Sequence, residues 1–290
     1  MLVIYKVTLF KVYAQYLIDI IRIGNRIMYS SLSFSNYTLR FLDINPHTSK
    51  TIFLLHGLGV NATSWELQFP ALSDAGYRII APDARGFGQS TFGRKLRRIE
   101  DLASDVAKII ESLVNYPVSV AGISLGGLIS LQIGLDYPQL LNKLILINAF
   151  AQLRPQRLDQ WLYMFARFVA VHTVGIETQA KLVSHRIFPF PYQDQLRQSL
   201  VEQIRQADPR AYRAVMRAIA RFDVRNRLAE LTVPTLVLTG ENDTTVSPAS
   251  QKILVEEIRN NQHVMIPNAG HAAIIDQPDL VNQSILKFLL

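Results

Sequence analysis

The 290-residue chain contains no cysteine, which removes disulfides, thiolate metal sites and a cysteine nucleophile. HExxH is missing, and no two of the six histidines pair at helical spacing, which argues against a zinc hydrolase. Neither GxGxxG nor GxxxxGK[ST] occurs, so dinucleotide-dependent oxidoreduction and P-loop phosphoryl transfer are set aside. No metal and no cofactor are therefore expected.

Acidic residues are outnumbered by basic ones, 23 against 30, giving a formal net charge of +7. The excess sits in two stretches: residues 1–27 carry +3, residues 151–230 carry +6, and the rest is −2. Neither has the dense Lys/Arg clusters and interleaved aromatics of a nucleic-acid groove, so no nucleic-acid partner is expected. A long apolar run is lacking too, because Lys6, Lys11, Asp19, Arg22 and Arg26 interrupt the N-terminus. No small-residue cleavage site follows a clean apolar core, and a cytoplasmic location is expected. At helical spacing Thr8, Lys11, Gln15, Asp19, Arg22 and Arg26 share one face, and Phe10, Tyr13, Leu17, Ile20, Ile21 and Gly24 the other. Residues 1–27 read as an amphipathic helix or extension. Residues 8–27 either lean on anionic lipid, making the protein peripheral to the membrane, or pack on their own domain.

From Tyr29 onward short β-branched runs alternate with helical periodicity. Strands are expected at 29–34, 37–44, 51–55, 77–81, 118–121, 143–147, 234–239 and 262–266, with helices at 99–115, 125–136, 247–259 and 278–289. This pattern predicts an α/β fold with a mostly parallel eight-stranded sheet covered by helices on both faces. Between residues 149 and 231 the strand signal stops and helical stretches follow. Because the strands on either side complete one pattern, the expected organisation is a core of residues 28–148 and 232–290 with residues 149–231 inserted as a helical lid.

The strongest chemical signal is Gly122-Ile123-Ser124-Leu125-Gly126, placed where a strand passes into a helix. Glycines permit a sharp turn there, leaving the Ser124 hydroxyl exposed above the sheet. A serine hydroxyl needs a base, and the base needs an orienting acid. Asp243 follows the strand at 234–239, and His271 follows the strand at 262–266. Parallel sheets gather sites at the carboxyl ends of their strands, so all three side chains belong at one edge. Glu241 is the alternative acid. The strand at 51–55 ends in His56-Gly57-Leu58-Gly59, a loop able to present the Leu58 N–H opposite that of Leu125 as an oxyanion hole.

These residues, with Trp65, Pro70 and the stretch Ala81-Pro82-Asp83-Ala84-Arg85-Gly86-Phe87-Gly88-Gln89-Ser90, resemble the α/β-hydrolase family in its lid-bearing branch. That branch holds small esterases, enol-lactone hydrolases and carbon–carbon bond hydrolases. The resemblance implies a serine hydrolase acting on a small-molecule acyl substrate through an acyl-enzyme. Enol-lactone or C–C bond hydrolysis and a non-catalytic ligand-binding role are the alternatives, and the oligomeric state is left open. It also implies a structural role for His56 behind the oxyanion loop, and for Asp83 to Ser90. Trp65, Trp161 and Phe165 are candidates for the substrate pocket; Trp161, Tyr163, Phe165 and Phe168 equally suit packing of the lid. Arg210, Arg213, Arg217 and Arg221 share a helical face that either recruits a carboxylate or is simply solvated. The spacing from His271 to Asp276 reads as incidental.

Overall fold

Alternation along the strands decides which side chains face which helical layer. In the computed structural model, which describes residues 28–93, 96–153 and 158–290, an eight-stranded sheet forms the centre. Its strands are β1 (Met28–Ser33), β2 (Thr38–Ile44), β3 (Lys50–Leu55), β4 (Tyr77–Pro82), β5 (Val118–Ile123), β6 (Leu141–Ile147), β7 (Thr235–Gly240) and β8 (Asn261–Ile266). The order across the sheet is β1-β2-β4-β3-β5-β6-β7-β8. β1 and β2 are antiparallel to their neighbours; from β4 to β8 every pairing is parallel. The amphipathic segment expected over residues 1–27 lies outside the described residues.

Phe53, Leu55, Val120, Leu144 and Leu146 bury into one core, while Ile52, Leu54, Ala121, Ile145 and Ile147 bury into a second on the opposite face. Successive residues thus alternate between two hydrophobic layers, as a period of two requires when both faces are covered. Helices α2 (Ile99–Leu113) and α3 (Leu125–Asp136) cover the first face. α1 (Phe69–Asp74) and the C-terminal helix cover the second. α3 is buried from Leu125 to Leu135 and is apolar on every face except at Ser130 and Gln132, whose side chains bond to the Gly126 carbonyl and to Asp136, as a helix enclosed on every side requires.

Between β6 and β7 the chain forms α4 (Leu158–Val169), α5 (Ile176–Ile187), α6 (Asp194–Gln206) and α7 (Pro209–Arg221). The chain leaves and re-enters the sheet domain at one point. Gln152 and Asp223 form an isolated antiparallel bridge, reinforced by a Gln152 Nε2 to Asp223 Oδ2 hydrogen bond of 2.9 Å and by Val224 N–H donating to the Ala151 carbonyl. After β7 come α8 (Pro248–Glu257), β8, the short α9 (Ala273–Asp276) and α10 (Pro278–Leu289). Among the described residues no helix is long and apolar enough to cross a membrane.

Candidate active site

β3 lies between β4 and β5, so the connections leaving β3 and β5 run to opposite sides. Parallel sheets open a crevice at such a switch point, beyond the carboxyl ends of the strands. Leu55 pairs with Gly122, which brings the loop after β3 beside the turn after β5. Gly240 pairs with Ile266, which does the same for the loops after β7 and β8.

Ser124 occupies the turn between β5 and α3 with φ 53° and ψ −115°, a left-handed conformation costly for a residue bearing a side chain. Its neighbours make that turn possible. A Cβ on Gly126 would stand 1.9 Å from the Leu55 carbonyl oxygen, and one on Gly122 2.1 Å from that of Gly126, so only glycine fits at either place.

His271 Nε2 lies 2.9 Å from Ser124 Oγ, and His271 Nδ1 lies 2.8 Å from Asp243 Oδ2. His271 and Asp243 are both buried. Asp243 Oδ1 accepts from the N–H groups of Thr245 and Val246 at 2.8 and 2.9 Å, and Oδ2 also accepts from Gln251 at 3.3 Å. Each carboxylate oxygen is therefore held in place. Glu241 points elsewhere, its carboxylate accepting the Asn268 N–H at 3.1 Å. Asp276 caps the Gly270 N–H at 2.8 Å, and burial pushes its pKa up to about 6.

His56 fixes the loop after β3. Its Nε2 accepts the Ala84 N–H at 2.9 Å, so the proton sits on Nδ1, which donates to the Gly57 carbonyl at 2.7 Å. The Leu58 N–H belongs to the same trans peptide as that carbonyl and must point the opposite way. Burial pushes the His56 pKa down, which keeps the ring neutral and the arrangement intact. As the first residue of α3, Leu125 carries an N–H with no intrahelical acceptor. Asp83 accepts the N–H groups of Ala62 and Gln89, each at 2.8 Å, and closes the 83–90 loop beneath.

A residue the sequence reading passed over joins three strand ends. Asn148, directly after β6, is buried with φ 46°. Its Nδ2 donates to the carbonyls of Gly270 (3.0 Å) and His271 (2.9 Å), while its Oδ1 accepts the Gly240 N–H at 2.7 Å. An asparagine at a strand's carboxyl end, able to adopt the left-handed region, was the available signal.

Ser124, Leu58, Leu125 and His271 line a cavity of about 350 Å³ roofed by α4, α5 and α6. That volume suits a small or medium ligand. The profile of the family described as serine aminopeptidase, S33, matches residues 46–278. The chain belongs to this α/β-hydrolase family. The hydrolase is 29% identical to 3-oxoadipate enol-lactonase 1 of Acinetobacter baylyi, over 84% of this chain and 90% of that one. A thermophilic esterase from Thermogutta terrifontis, solved with malate bound, superposes with a TM-score of 0.74 at 26% identity, covering 90% of this chain and 98% of that one. The enol-lactonase from Burkholderia xenovorans superposes with a TM-score of 0.81 at 23% identity, covering 90% and 99%.

The pocket candidates of the hydrolase need correction. Trp65 does not reach the cavity; it is fully buried in the second core, and its neighbours Ser64 and Glu66 line the cavity instead. Trp161 and Phe165 point to solvent, 57% and 67% exposed, because α4 turns Gln160, Tyr163, Met164 and Arg167 inward. Nor do Arg210, Arg213, Arg217 or Arg221 line it. The cations that do are Arg167 and Arg186, whose guanidinium carbons lie 5.6 and 5.0 Å from the centre of the Tyr163 ring. Gln179 Oε1 accepts from Arg167 Nε at 2.9 Å and Nη2 at 3.1 Å, and Arg186 donates to the Thr244 carbonyl. Both partners are neutral. Among the described residues Glu66 is the one carboxylate lining the cavity; burial raises its pKa, and no described ion pair joins it to either arginine.

Proposed function

We propose that the protein is a serine hydrolase that cleaves a carboxylic ester or related acyl compound. The observation that carries this reading is the hydrogen-bonded series Asp243–His271–Ser124 opening at the base of the cavity. Ser124 Oγ attacks the carbonyl as His271 Nε2 takes its proton, and Asp243 holds Nδ1–H and balances the imidazolium. The Leu58 and Leu125 N–H groups receive the developing oxyanion, each contributing on the order of 3 kcal/mol in the transition state. His271 returns the proton to the leaving alcohol. Water activated by the same imidazole then attacks the acyl-enzyme and releases the acid. In this reading the inserted helices, residues 149–231, act as a lid.

A second reading concerns the acyl group. Two half-buried arginines line the cavity, and among the described residues no ion pair joins either to a carboxylate; a partly desolvated cation of this kind favours an anionic ligand group. A substrate carrying a carboxylate, as an enol-lactone acid does, supplies that partner.

Turnover of p-nitrophenyl esters from acetate to laurate by the full chain and by Ser124→Ala tests the proposal. The expected result is activity in the first and a fall in kcat of about 10⁴-fold or more in the second. Equal activity in both would overturn the role of Ser124. Silence of the wild type toward every ester, with no labelling by a fluorophosphonate, would leave a binding module.

A further inference from the structure

Among the described helices α4 is the least buried, with none of its twelve residues buried. Leu158, Trp161, Leu162, Phe165 and Phe168 are 74%, 57%, 60%, 67% and 50% exposed. Their spacing places them on one continuous face. The opposite face carries Gln160, Tyr163, Met164 and Arg167 over the cavity. Single exposed apolar residues are ordinary, but five large ones in one stripe mark a surface that something covers.

One edge of the stripe, away from the exposed Asp159, is cationic. Phe168 stacks on His172 with ring centres 4.2 Å apart, and Arg217 donates to His172 Nε2 at 3.4 Å. Arg213, Arg217 and Arg221 follow one another at four-residue intervals along α7, and no ion pair engages any of them among the described residues. By contrast Arg210, Arg225 and Arg227 each hold a carboxylate. We infer that this face of α4, with the arginine row of α7, docks on an anionic lipid bilayer.

Charge selects that occupant over the others. A second copy of the chain would bring one arginine row against another. Residues 1–27 carry a net +3 and share the sign of the row, so both fit one anionic surface better than they fit each other. Trp, Phe and Leu beside arginines form the composition by which a surface helix seats in the headgroup and acyl boundary. Since the other face of α4 roofs the cavity, the bilayer would abut the substrate's enclosure.

The two tryptophans provide the test. Trp65 is buried in the core and Trp161 lies in the stripe, so a quencher in the acyl chains reads Trp161. The full chain is mixed with phosphatidylcholine vesicles, with or without about a third phosphatidylglycerol, bearing brominated acyl chains, and both sedimentation and fluorescence are followed. Expected is co-sedimentation with quenching, strengthened by phosphatidylglycerol. Leu162→Ser with Phe165→Ser should weaken binding roughly tenfold or more. Arg213→Gln with Arg217→Gln and Arg221→Gln should weaken it roughly fivefold per arginine at low salt. Hydrolysis of soluble esters should be unchanged in both variants.

Sedimentation without quenching would place docking elsewhere and overturn the inference, as would failure to sediment. Shielding of Trp161 without lipid would overturn it too, in favour of a second copy if it grows with concentration and of the chain's own segment if it does not.

Discussion

At the scale of single residues, Asn148 and the two cavity arginines are the sharpest tests. Replacing Asn148 with Ala leaves the Gly240 N–H and two carbonyls unpaired and should cost about 3 kcal/mol in urea denaturation. If it positions His271, kcat must also fall with KM little changed, whereas a purely structural role would move stability alone. Arg167→Met and Arg186→Met should lower kcat/KM for a monoacid ester about tenfold while sparing a neutral ester of equal length. These residues were not legible in the sequence for a physical reason. Ser124, Asp243, His271 and Asn148 all follow strands, whose positions follow from the hydrophobic pattern, but Ser124 carries a recognisable glycine-flanked turn while the part Asn148 plays appears only in bonds to residues distant in the chain. Trp65 misled because a large aromatic beside the loop after β3 suits a pocket wall and a core equally, and only the turn at 62–65 sends it inward.

At the scale of elements, the turn from β5 to α3 is the least tolerant part. Gly126→Ala drives a methyl into the Leu55 carbonyl and should destabilise by about 3 kcal/mol or more, seen as a lower urea midpoint. The strands were readable because two buried faces demand uninterrupted apolar runs, here Ile52 to Leu55 and Leu144 to Ile147. α4 was readable as a helix but not in its orientation. It carries aromatics on both faces, Tyr163 inward and Trp161, Phe165 and Phe168 outward, so periodicity cannot say which face meets the cavity.

Across the whole molecule, buried titratable groups set how stability responds to pH. Asp276 has a folded pKa of about 6, above the ordinary value of 3.8. The folded state therefore binds its proton more tightly, and this contribution is full below about pH 4 and lost as pH rises through 6. Asp276→Asn, which keeps an oxygen for the Gly270 N–H, should raise Tm above that of the wild type at pH 8 and lose the advantage by pH 4. His56 acts with the opposite sign. Its pKa is pushed down on folding, so its contribution is present above the unfolded value of 6.5 and is lost as pH falls. Comparing Tm profiles of wild type and Asp276→Asn separates the two.

The neck at Gln152 and Asp223 bears on how such a protein can be altered. Its two strands of chain meet in a bridge closed by a side-chain hydrogen bond, so the intervening helices hang from adjacent anchor points. A stretch joined at neighbouring ends can be exchanged without rethreading the sheet, as circular permutation and domain insertion exploit. The hydroxyl, imidazole and carboxylate all lie outside it, whereas Tyr163, Arg167 and Arg186 lie within. On the proposed function, reactivity and taste for a particular molecule are thus written in separable lengths of chain, and a transplanted cassette should redirect one while leaving the other untouched.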